Sequence, residues 1–193
     1  MSDARTGEDG LLRCPWALST QAYIAYHDEE WGQPVTSVAG LYERLTLEAF
    51  QSGLSWITIL GKRENFRAAF AAFDPAAVSA FDRSDVERLM NDPGIVRNRL
   101  KIEAALHNAT VINDWGKGFA DTVLSFAEPD RPRPARLAEV PALTTGSKAL
   151  SKRLKAQGVR FVGPTTAYAL MQALGLVDDH LVDCWVHPRS VSR

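Results

Sequence analysis

Residues 158–175 read GVRFVGPTTAYALMQALG, and the two ends of GVRFVG decide how the chain around them folds. A helix over 147–157 stops at Gly158, a tight turn closes at Gly163, and Pro164 opens a helix over 165–174. Glycine relieves the backbone where a helix ends, and proline fits a first helical position because that N–H would lack a partner anyway. Two helices joined by a glycine-bounded hairpin can offer free backbone N–H groups and a helix N-terminus to a phosphate. The same pattern also serves as an ordinary helix–helix connection.

The helix entering this turn is basic. Residues 131–160 hold eight Lys and Arg (Arg131, Arg133, Arg136, Lys148, Lys152, Arg153, Lys155 and Arg160) against Glu139 alone. Residues 1–48 hold three basic against eight acidic side chains, so the overall charge of −1 conceals a polarised chain. Such a stretch is either a phosphate-binding footprint or a solvated helix face.

Further out, apolar spacing stays helical. Leu41, Leu45 and Ala49 form a stripe behind a cap at Ser37, Asp74-Pro75 starts another helix, Ser84 with Glu87 makes a capping box, and 97–113 fits a longer helix. No run alternates convincingly, so the fold class is all-α. Residues 128–141, with four prolines, read as an extended connector. The 193 residues suit one domain, with 46% apolar and 23% charged residues excluding disorder and coiled coil. No apolar run spans a membrane, and MSDARTGEDG has no export signal, so 1–12 read as a flexible leader and the location as cytoplasmic. Two cysteines far apart in a reducing compartment do not make a disulfide framework.

Cys14 and Cys184 have other uses. Cys14 with His27, and His180 with Cys184 four residues on, are two halves of a tetrahedral Cys2His2 zinc site. Four protein ligands leave no open position, so such a site is structural and ties the chain ends together; the alternative is two buried thiols with incidental histidines. His107 and His187 have no cysteine at ligand spacing. Around the first half, 16–56 carry Trp16, Tyr23, Tyr26, Trp31, Tyr42, Phe50 and Trp56, about twice the chain's aromatic density. Flat π faces hold planar, especially cationic, bases, and they also build cores. Glu48 falls at the flank of the Leu41/Leu45/Ala49 face, where a carboxylate can line a cleft or point to water.

The strings AYIAYHDEEWG (22–32), LEAFQSGLSWITILGKRENFRAAF (47–70), GVRFVG and GLVDDHLVDC resemble the DNA-3-methyladenine glycosylase I family, of the helix-hairpin-helix superfamily, from about Cys14 to Cys184. The resemblance implies a monofunctional repair glycosylase that hydrolyses the N-glycosidic bond of 3-methyladenine in alkylated double-stranded DNA. Its single domain would cover 13–187, with 188–193 as a tail. It implies that Cys14, His27, His180 and Cys184 bind one structural zinc. Trp16, Tyr23, Tyr26, Trp31, Glu48 and Trp56 would surround the base, with Glu48 as the catalytic candidate. Gly53 and Leu54 would wedge into the duplex. Lys152, Arg153, Lys155, Gly158, Arg160, Gly163 and Thr165 would meet the DNA backbone. Thr165 stands where bifunctional relatives in the superfamily carry a nucleophilic lysine, which argues against strand cleavage. Asp178 falls near the superfamily's catalytic aspartate, but that role does not carry over safely. A monomer is expected. A non-catalytic module for damaged DNA and a zinc hydrolase are the two rival readings.

Overall fold

In the computed structural model, which describes residues 2–187, a two-stranded antiparallel ribbon precedes ten helices. The ribbon pairs β1 (Arg5–Thr6) with β2 (Leu12–Arg13). The helices are α1 (Gln21–Glu29), α2 (Val38–Gln51), α3 (Trp56–Leu60), α4 (Arg63–Ala69), α5 (Pro75–Ser79), α6 (Arg83–Asn91), α7 (Arg99–Trp115), α8 (Lys117–Leu124), α9 (Thr145–Ala156) and α10 (Pro164–Ala173). The all-α expectation therefore holds in substance. No helix among the described residues is long and apolar enough to cross a membrane.

Ser37 caps α2, its hydroxyl accepting from the Gly40 N–H at 3.2 Å. From Leu41 to Phe50 every residue of this helix except Glu43 is buried, and it packs against α3, α7, α8 and α10. A helix enclosed on nearly all sides has no solvent flank. The flank position expected for Glu48 is thus corrected: the side chain is inside the molecule. A second correction concerns α6, whose capping box is Asp82 with Asp85 rather than Ser84 with Glu87. Aspartate caps as well as serine, so the helix starts two residues earlier than the Ser84 box required.

The hairpin is held from behind by α7. Asn108 donates to the Arg160 carbonyl at 3.0 Å and accepts from the Arg160 N–H at 2.8 Å, while His107 Nε2 lies 2.9 Å from the Gly158 carbonyl oxygen. The backbone turns at Gly158 (φ 93°) and at the exposed Phe161 (φ 54°). Gly163 has φ −70°, and a side chain there would meet nothing within 4 Å. The chain's own packing therefore does not require a glycine at 163.

Residues 2–12, expected as a flexible leader, are built into the structure instead. Asp3 donates its N–H to the Ala135 carbonyl and accepts from the Leu137 N–H, each at 2.9 Å, and the Trp185 N–H donates to the Leu12 carbonyl. Paired backbone groups, invisible to composition, account for the difference. Residue 1 and the expected tail 188–193 lie outside the described residues.

Candidate active site and metal centre

A cavity of about 500 Å³ opens among α1, α2, α3, α10 and the connector. Trp16, Tyr23, Tyr26, Trp31, Glu48 and Trp56 all line it, so the six side chains expected around a base are brought together. Tyr23 and Tyr26 are three apart on α1 and share its inner face. Trp16 sits edge-on to Tyr23 (5.5 Å between centroids) and to Trp31 (5.1 Å), and Tyr26 lies 5.3 Å from Trp56. Edge-to-face contacts are favourable for aromatic pairs and fix the ring orientations of the wall.

Burial pushes Glu48 up to about 8, an effect the nearby Arg44 charge only partly offsets. Among the described residues no donor hydrogen-bonds to Glu48, although it sits 6% exposed against the cavity. Arg44, one turn earlier on α2, is occupied elsewhere: it donates to Glu30 at 3.0 Å, and Glu30 also takes both ends of the Arg63 fork, at 2.6 and 2.8 Å. Burial, then the Glu48 charge, pushes the Tyr26 phenol up as well.

Sequence reasoning missed three polar side chains in the wall, Gln51, Gln172 and Asp179. Asp178, the residue with the superfamily parallel, does not line the cavity. It accepts from the His180 ring at 2.9 Å and pairs with Arg133 at 3.3 Å. Adjacent aspartates after a helix end face different ways, and the VDDH string alone does not say which turns inward. The connector is more than a link, since its Leu137 and Val140 close one side of the cavity.

Next to the aromatic wall, the ligand atoms of Cys14, His27 and Cys184 lie within 4.8 Å of one another, all buried. Cys184 Sγ is 3.5 Å from His27 Nε2. His180 lies outside that radius, with its ring 5.0 Å from the His27 ring. Both imidazoles give their Nδ1 to a carboxylate, His27 to Asp28 at 2.7 Å and His180 to Asp178 at 2.9 Å. His180 Nε2 is left buried without a partner. Carboxylates behind imidazoles, with Nε2 presented, are the usual support of zinc-binding histidines. The closeness of the two thiols pushes Cys184 down and Cys14 up, and a thiolate is the form that binds metal. Two sulfurs and two imidazole nitrogens are a donor set that suits zinc.

Around the cavity the expected DNA-facing residues are accessible. Gly53 (φ 84°) and Leu54 (42% exposed) form the turn between α2 and α3, bracketed by Gln51 and Trp56 of the cavity wall. Lys152, Arg153 and Lys155 are exposed on α9, as are Gly158, Arg160 and Thr165, while Gly163 is half-buried. Arg153 lies over the Trp115 ring at 5.7 Å, so part of its role is packing.

Comparison with known proteins matches residues 16–187 to the family described as methyladenine glycosylase. The chain is 49% identical over 183 residues to DNA-3-methyladenine glycosylase 1 of Escherichia coli K12, covering 92% of this chain and 98% of that one. Its fold superposes on a crystal structure of 3-methyladenine DNA glycosylase I with a TM-score of 0.87 at 47% identity, over 91% of this chain and all of the other. The Staphylococcus aureus 3-methyladenine DNA glycosylase I, solved to explain its recognition of 3-methyladenine, gives 0.83 at 33% identity, over 92% and 97%.

Proposed function

The chain belongs to the methyladenine glycosylase family and is a DNA glycosylase of base excision repair, and from that premise we propose how its residues do the work. It hydrolyses the N-glycosidic bond of 3-methyladenine in alkylated double-stranded DNA, and the flipped base enters the aromatic cavity. The observation that carries this reading is Glu48, a buried carboxyl without a donor in an aromatic wall.

Methylation at N3 makes the base cationic and hence a good leaving group, so little acid catalysis is needed. The aromatic faces attract the cation by roughly 0.5–2 kcal/mol more than neutral adenine. A cation beside Glu48 favours its ionised form, and the resulting charge-assisted hydrogen bond is worth about 1.5–3 kcal/mol. Neutral adenine meets a protonated carboxyl and gains neither. Glu48 is therefore the side chain placed to select the charged base, and water completes the hydrolysis.

The surrounding surface supports DNA binding. The hairpin with Gly158, Arg160, Gly163 and Thr165, and the α9 cations, grip phosphates, while Gly53-Leu54 fills the gap in the stack. Thr165 has no amine, which supports a monofunctional enzyme. Cys14, His27, His180 and Cys184 hold one structural zinc. Zinc supplies a cross-link between the two ends of the domain and no catalytic position.

The test is to incubate the protein with methylated duplex DNA. Free 3-methyladenine should appear, and the abasic strand should stay uncut until heated in alkali. No released base would overturn the reading, and cleavage without alkali would overturn its monofunctional part.

A further inference from the structure

Gln172 and Asp179 belong to the cavity wall on the α10 side, away from the aromatic segment that carries the cation-binding argument. Asp179 is buried, and its Oδ2 accepts from the Tyr168 hydroxyl and, at 2.8 Å, from Gln172 Nε2. Its Oδ1 is buried, accepts no hydrogen bond, and lies 3.3 Å from the Arg131 guanidinium. Arg131 also donates to the Tyr168 hydroxyl at 2.5 Å. Four side chains from the connector, α10 and the segment after it thus meet in one network.

The network fixes the direction of an amide. A carboxylate only accepts, so Gln172 must turn its Nε2 to Asp179 and its Oε1 away. Among the described residues nothing donates to that Oε1, and Gln172 lines the cavity. We propose that Asp179 is a positioning residue that makes Gln172 present an acceptor to the base, so that the pocket prefers N3-methylated purines bearing an amino group at C6 over those bearing a carbonyl there. This rests on the base-excision reading above. The base is tethered to the sugar through N9, so its C6 edge, on the far side of the ring system from that tether, is free to meet a side chain of the wall. An acceptor there meets N–H of 3-methyladenine but a lone pair of 3-methylguanine, and an oxygen facing an oxygen is a mispaired buried contact.

Asp179→Asn tests the direction. Arg131 needs an oxygen at Oδ1, so the new amide turns its NH2 toward Tyr168 and Gln172. Gln172 must then reverse, offering N–H to the pocket. Methylated DNA containing both lesions is treated with wild type and variants, and the ratio of released 3-methyladenine to 3-methylguanine is measured. The ratio should fall roughly tenfold in Asp179→Asn, with 3-methylguanine release rising. Gln172→Met keeps the length, loses the acceptor and lies two turns of chain before His180; its ratio should fall, because 3-methyladenine loses its hydrogen-bond acceptor and 3-methylguanine its opposing oxygen. It also serves if Asp179→Asn fails to fold, as judged by melting temperature and metal content. A ratio within twofold of wild type in a folded Gln172→Met overturns the proposal, as does a ratio that rises. A wild type that releases neither base overturns instead the reading beneath it.

Discussion

A carboxyl enclosed in an apolar wall titrates late, and Glu48 does so at about 8, against an ordinary 4.5, because burial disfavours its charged form. The folded state then holds a proton that the unfolded chain releases. The Glu48 contribution to stability is full below about 4.5 and is lost as pH rises to about 8, by at most about 1.4 kcal/mol per pH unit. Recognition of a fixed cation runs the other way, because only the ionised form makes the charge-assisted bond. In wild type, kcat/KM on methylated DNA should therefore rise with pH and level off above about 8, while the melting temperature falls over the same range. Glu48→Gln should flatten both profiles, slow excision at least tenfold and be the more stable protein at pH 8, with undamaged-DNA affinity unchanged. A variant that excises at the wild-type rate would make the carboxylate a bystander. The residue types of this wall can be read from the sequence, since aromatics at 16, 23, 26, 31 and 56 converge as expected. The burial of Glu48 and the inward turn of Asp179 cannot. Both depend on which neighbours close over them, and a helical wheel of one element carries no such information.

At the scale of elements, helices and their ends are the most readable feature, because capping is local chemistry. Ser37 and Asp74 cap where expected, whereas α9 starts at Thr145 with Thr144 and Ser147 forming its capping box, two residues before the expected start. The position of the hairpin is legible in its glycines, but its geometry is not: the left-handed residue inside it is Phe161, and Gly163 is extended. An exposed aromatic held at positive φ costs about 1 kcal/mol or more, a strain no pattern of residue types reveals. If α9 and this hairpin lie along DNA phosphates, log affinity for undamaged duplex should fall steeply with log salt. Replacing Lys152, Arg153 and Lys155 by Ala should flatten that slope by roughly 2 to 3, about one for each phosphate no longer neutralised. An unchanged slope would leave the cations as a solvated face.

Across the whole molecule, the segments around Cys14 and Cys184 meet beside the cavity. The Leu181 N–H points at Cys14 Sγ (3.4 Å), and the His180 ring packs 4.5 Å from Trp31, which is part of the cavity wall. Purified protein should therefore carry about one zinc per chain, and Cys184→Ala should lose metal and thermal stability together, by several kcal/mol. Full stability after metal removal would show that packing alone holds the ends. Pairing of Cys14 with Cys184 across the chain could be anticipated from ligand spacing, but not the ordering of residues 2–12, which depends on backbone partners at 135, 137 and 185. The same meeting of ends has a consequence during synthesis. A ribosome delivers Trp16, Tyr23 and Trp31 first, and they wait on an unfinished surface until residues 172–184 emerge. Contacts this distant in sequence close long loops and are correspondingly slow to form. A nascent or truncated chain that stops before residue 172 lacks Gln172 and Asp179 of the cavity wall and the Cys184 partner of Cys14 and His27, and it should not excise.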